Sequence, residues 1–124
     1  MRKILPIAFE EAVTRTMNAL KQEGFGVLTE IDVSETLKKK LGVDFPSYRI
    51  LGACNPALAY EALKLESHVG TMLPCNVVVR DAGRGEIEVA AIDPVASMQA
   101  IDNPALQQAA AQVRAKLERV IAAL

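Results

Sequence analysis

The sequence predicts an α+β domain in which about five strands form a mostly antiparallel sheet packed against helices. Three observations carry that expectation. Apolar spacing switches between the helical and the strand period along the chain, in the order β-α-β-(short α)-β-α-β-β-(short α)-α. The last two strands flank Asp81-Ala82-Gly83-Arg84-Gly85, turn chemistry that folds them into an antiparallel hairpin. A Rossmann sheet needs regular βαβ alternation and a glycine fingerprint after its first strand, and neither is present. No repeat, low-complexity tract or linker divides the 124 residues, so 1–124 reads as one domain.

The elements follow in order. Arg2 to Ile7 forms a short strand that Pro6 confines to an edge or terminates. From Phe9 to Glu23, Phe9, Val13, Met17 and Leu20 recur at helical spacing, and Gly24 stops the helix. Phe25, Val27, Thr29 and Ile31 alternate as one face of a half-buried strand. Ser34 caps a short helix that runs to Leu41 before Gly42. Tyr48 to Cys54 is the next strand, with Tyr48, Ile50, Gly52 and Cys54 on one face.

Asn55-Pro56 is a helix start: asparagine caps, and proline suits a first turn where its missing N–H is not needed. That helix ends at Ser67-His68-Val69-Gly70. Met72 to Arg80 is a strand apolar on both faces at Val77-Val78-Val79, as a central strand should be, and Glu86 to Ile92 follows it. Asp93-Pro94 and Asn103-Pro104 repeat the start device, opening a short helix and a final one whose seam is Leu106, Ala110, Val113, Leu117, Val120 and Leu124.

Composition excludes several functional classes. Fourteen basic against fifteen acidic residues leave a net charge of −1, which argues against a polyanion binder. The single basic run, Lys38-Lys39-Lys40, points three ways around a helix and makes no stripe. No apolar run approaches the ~20 residues that span a bilayer, and Met1 to Pro6 lacks the apolar stretch of a secretory signal. The chain therefore reads as cytoplasmic, with Cys54 and Cys75 as reduced thiols.

Catalytic motifs are scarce. With His68 as the only histidine, a metal centre would have to combine it with Cys54 and Cys75 to hold zinc, and their spacing diagnoses nothing. Glu86 and Glu88 share a strand face that reads as solvated. Arg49 and Arg80 either take an anion or shield sheet edges. The cysteines have the better context. Each sits in a Cys-Asn pair, Cys54-Asn55 and Cys75-Asn76, and Cys54 lies beside a helix N-terminus, where thiolates are stabilised. If their two strands are antiparallel neighbours, the thiols approach one another. The plainer reading makes both small apolar packing residues.

Gly24-Phe25-Gly26-Val27-Leu28, Gly52-Ala53-Cys54-Asn55-Pro56, Leu73-Pro74-Cys75-Asn76-Val77 and Asp93-Pro94 together resemble the domain of unknown function 302 family, best from Gly24 through Met98. The resemblance implies a small α+β domain with a TATA-box-binding-protein-like fold and assigns no activity. It directs attention to Cys54, Asn55, Pro56, Pro74, Cys75 and Asp93, and to three helix N-termini whose amides converge as a potential anion site.

The expectation is a homodimer that binds a small molecule or a partner protein without catalysing a reaction. Its candidate residues are Cys54, Asn55, Cys75, Asn76 and Asp93, with no cofactor, no nucleic acid and no membrane. The alternative is a thiol-dependent redox or metal-linked protein using Cys75 assisted by Cys54. Nucleic-acid binding through the sheet and Lys38 to Lys40 ranks last.

Overall fold

The computed structural model describes all of residues 1–124. Five strands, β1 (Arg2–Leu5), β2 (Gly26–Asp32), β3 (Tyr48–Cys54), β4 (Cys75–Gly83) and β5 (Glu86–Ala91), form one sheet in the order β1-β5-β4-β3-β2. Every neighbouring pair is antiparallel. The helices are α1 (Phe9–Gln22), α2 (Val33–Leu41), α3 (Pro56–Leu65), α4 (Pro94–Ser97) and α5 (Pro104–Ala122), with one 3-10 turn at Val69–Met72. The α+β architecture expected from the sequence is the one observed.

One face of the sheet is buried under α1 and α5. Leu5, Leu51, Ala53, Val77, Val79, Ile87 and Val89 point into it, joined by Val13 and Leu20 of α1 and Leu117, Val120 and Ile121 of α5 in a cluster of 16 buried residues. Each fully buried aliphatic side chain here contributes roughly 1.5–3 kcal/mol. Lys3 Nζ closes this layer by donating to Ala122 O (3.3 Å) and Leu124 O (2.6 Å), a cation at the C-terminus of α5. Arg119 at the same helix end bonds Glu23 at 2.7 Å.

A second, smaller cluster lies outside the sheet. Ala62 of α3, Val69, Met98 and Leu106 and Ala110 of α5 form it. Polar side chains fasten its borders: Asn103 Nδ2 donates to Leu65 O (3.1 Å) and Gln107 Nε2 to Met98 O (2.7 Å). Helix α5 therefore serves both clusters, its N-terminal half the small one and its C-terminal half the large one.

Four sequence expectations need correction. The strand after α1 does not hold Phe25, Val27, Thr29 and Ile31 on one face. The pairing with β3 slips between Val27 and Thr29, so Val27 opposes Ala53 while Thr29 opposes Gly52. The extra residue, Leu28, inverts the alternation from that point, as a bulge must. Asp32, not Ser34, caps α2: its Oδ1 accepts from the Glu35 amide (3.0 Å) and the Ser34 hydroxyl (2.8 Å). These bonds hold the Asp32 carboxyl below its usual range, the Glu35 amide contributing most.

The strand expected from Met72 begins instead at Cys75, after the 3-10 turn and a cis Leu73–Pro74 bond. Pro74 has no N–H to give a ladder. Finally, Glu88 is not solvated. Its side chain is 13% exposed, bonded to Arg80 Nε at 2.9 Å and 3.9 Å from Arg2 Nη1.

Candidate functional site

Between the two hydrophobic clusters lies a narrow cleft of about 40 Å³, lined by 16 residues of which 13 are hydrophobic. Its floor is the sheet margin: Phe25, Ala53 and Cys54 at the end of β3, and Cys75 at the start of β4. Leu58, Ala59 and Ala62 of α3 form one wall; Leu106, Ala109, Ala110 and Val113 of α5 form the other. Pro94, Met98, Leu73 and Pro74 complete the lining. The cleft exists because α5 bridges two clusters with alanines where it passes between them. Larger side chains at 109 and 110 would fill the seam.

Antiparallel pairing of β3 and β4 places Ala53 opposite Cys75. Cys54, at the very end of β3, lines the cleft with Cys75, both as free thiols, Cys54 half-buried and Cys75 buried. Burial pushes the Cys75 thiol up to about 11, with Cys54 adding to the shift. Near neutral pH that thiol is protonated and a poor nucleophile.

Asn55 stands at the same margin as the N-cap of α3, its Oδ1 accepting from the Leu58 amide at 3.3 Å. Across from it lies Gly24, at φ +85°, where an added Cβ would sit 3.1 Å from Asn55 Nδ2. Two segments far apart in sequence thus meet, and the glycine admits both the left-handed backbone and the close approach.

The other candidates lie elsewhere. Asn76 follows Cys75 in β4 and so points to the opposite face of the sheet, where it is exposed. Asp93 caps α4, accepting from the Val95 and Ala96 amides at 2.9 and 3.3 Å, and is 3.4 Å from Arg114. The amides at the three helix starts are met by Asn55, Asp93 and Asn103, the last accepting from Leu106 at 3.1 Å.

The exposed ring of His68 is not gathered with the cysteines, and no group of three or more His, Cys, Asp or Glu side chains is placed to hold a metal ion. Arg49 is committed to Glu10, Glu30 and Asp32, and Arg80 to Glu88. Lys38 and Lys39 pair with Asp44 and Glu35, each at 2.8 Å. No helix is long and apolar enough to cross a membrane.

The model of the domain of unknown function DUF302 matches residues 1–124. The chain belongs to the DUF302 family. Among solved structures it is similar to an uncharacterized conserved DUF302 protein from Bacillus stearothermophilus, with 32% sequence identity and a TM-score of 0.91 over 99% of this chain and 95% of that one. No curated protein matches the sequence. In this DUF302 protein the segments that carried the resemblance, around Gly24, Cys54 and Cys75, converge on the cleft.

The residues missed by sequence reasoning are the apolar ones of α3 and α5. Polar residues were sought as site candidates, whereas the walls are Leu, Ala and Val. The available signal is the run of alanines from Ala96 onward, nine of 19, seven of them in α4 and α5.

Proposed function

We propose that this DUF302 protein is a non-catalytic, homodimeric binder of a small apolar molecule, held in the cleft between α3, α5 and the margin of β3 and β4. The observation that carries this reading is the lining itself: 13 of 16 residues are hydrophobic, and no carboxylate, imidazole or amine is among them. Such a wall rewards burial of an apolar surface, and its only titratable groups are the two thiols. Asn55, with Oδ1 taken by the cap, keeps its Nδ2 hydrogens to orient a ligand bearing one acceptor. The free thiols suit a reducing compartment such as the cytoplasm.

A second reading rests on Cys54 and Cys75 sharing the cleft, as a thiol pair for redox work. The raised Cys75 pKa weighs against it, because the thiolate is the reactive form.

Thermal unfolding against a panel of small apolar acids, amides and ketones tests the proposal. Binding raises the Tm of the wild type by about 2 °C or more. Ala59→Phe, which fills the cleft from α3, abolishes that rise. A shift produced only by oxidants or thiol reagents would transfer the site to the second reading.

A further inference from the structure

Three sulfur-bearing side chains line one narrow cleft: the thiols of Cys54 and Cys75 and the thioether of Met98. The rest of the lining supplies a single polar side chain, that of Asn55, and no carboxylate or imidazole. Strand pairing brings the thiols near. Cys75 stands opposite Ala53, so Cys54 lies one residue along the neighbouring strand. Strands about 4.8 Å apart, rising about 3.3 Å per residue, put the two Cα atoms roughly 6 Å from each other. The thiols also sense each other's charge, because Cys54 helps push the Cys75 thiol up. Both are free.

We propose that Cys54 and Cys75 hold a cuprous ion in the cleft, with the Met98 thioether as a third sulfur donor. Soft thiolate and thioether donors select copper(I), which two or three sulfurs satisfy. Zinc requires a tetrahedron of four ligands, and the only histidine, His68, lies exposed and apart from the cysteines. Space suits an ion: the cleft offers about 40 Å³, and one water-sized occupant needs about 10–15 Å³. The ion uses the sulfurs of the cleft, whereas the apolar-ligand reading uses its walls, so neither rests on the other.

The charge balance is simple. One cuprous ion replaces two thiol protons, which leave to solvent, and the bis-thiolate complex carries a net charge of −1. Copper keeps its +1 state throughout. The fold favours negative charge at this place. Cys54 directly precedes Asn55, the N-cap of α3, and the N-terminal end of a helix dipole attracts an anion. Asn55 Oδ1 is taken by the Leu58 amide, which leaves the Nδ2 hydrogens as donors for the thiolates.

Anaerobic titration of the reduced protein with copper(I), in competition with the chromogenic cuprous chelator bicinchoninate, tests the site. The wild type should take one copper(I) per chain and gain an ultraviolet thiolate-to-copper charge-transfer band. Cys54→Ala and Cys75→Ala should each weaken binding about hundredfold or more, because a second donor on the same chain acts at high effective concentration. Met98→Leu should weaken it about tenfold, the low end for a supporting group at a metal site. Far-UV circular dichroism verifies folding. Cys54 is only half-buried, so Cys54→Ala supplies the answer if Cys75→Ala fails to fold.

A wild type that leaves all the copper on the chelator overturns the proposal. So does a stoichiometry of two ions per chain, one on each independent thiol. An affinity unchanged in the folded cysteine variants would place the copper elsewhere and overturn it too. An affinity unchanged in Met98→Leu removes the thioether from the site.

Discussion

The two faces of the sheet both carry aliphatic residues at the centre, and these meet different fates. On the face under α1 and α5, Leu51, Val77, Val79 and Val89 are completely buried. On the other, the intervening Ile50, Val78 and Ala90 stay partly accessible and Ile31 and Ile4 more so. Aliphatic type does not distinguish these residues; the amphipathic helices do, together with the polar neighbours Arg2, Asn76, Arg80, Glu86 and Glu88 on the open face. Helix α1 is long and puts Val13 and Leu20 onto the sheet, whereas α2 is nine residues long and buries nothing. A β-strand that is apolar on both faces reports that two coverings are needed without saying that both come from its own chain.

Four experiments would break or sharpen this comparison. The largest effect belongs to the covered face: Leu51→Ala should cost about 2–5 kcal/mol in urea unfolding, the loss of a buried side chain plus its cavity. A cost below about 1 kcal/mol would mean that the layer under α1 and α5 is loosely packed.

Next comes Cys75, also on the covered side. Its folded pKa of about 11 lies above its ordinary value of 9.0. The protonated thiol therefore stabilises the fold fully below pH 9, and the benefit is lost as pH rises through about 11, by about 2–3 kcal/mol. Unfolding curves between pH 8 and 11 should show this loss in the wild type and not in Cys75→Ala. The same slope in both would assign it to other groups.

Gly52 sharpens the contrast, because it sits on the uncovered face yet is sealed locally. A Cβ there would collide with Thr29 Oγ1 and lie 2.8 Å from Pro74 Cγ. Gly52→Ala should therefore cost about 1–3 kcal/mol, as overpacking does. A neutral result would show that Thr29 and Pro74 yield freely.

The smallest effect is expected from Ile31→Thr, measured at low protein concentration. At 47% exposure its cost should stay within about 0.5 kcal/mol. A loss of 2 kcal/mol or more, on the order seen for buried aliphatics, would place a covering within the monomer.

The cleft was less legible in the sequence than the sheet. Cys54, Asn55 and Cys75 were nominated for their chemistry and do line it. Asn76 has the same Cys-Asn pattern but does not line the cleft, because adjacent strand residues point to opposite faces. Asp93, whose Asp-Pro pair reads as a helix start as well as a site candidate, does cap α4, beside Arg114. Phe25, Leu58, Leu106 and Val113 carried no chemical signal, since an apolar residue looks the same in a core and in the wall of a cleft.

Local physics wrote much of this protein into its sequence. The cap-and-proline starts at Asn55, Asp93 and Asn103 each fix a helix start by a hydrogen bond within three residues. The hairpin turn at Gly83 and the helical spacing of α1 are equally local. The tertiary structure decided what depends on long-range pairing: the bulge that sends Ile31 outward, the meeting of Gly24 with Asn55, and the cleft left where α5 passes between two clusters. Hydrophobic burial is non-directional, so spacing names the residues that seek cover, and only the assembled chain shows which of them found it.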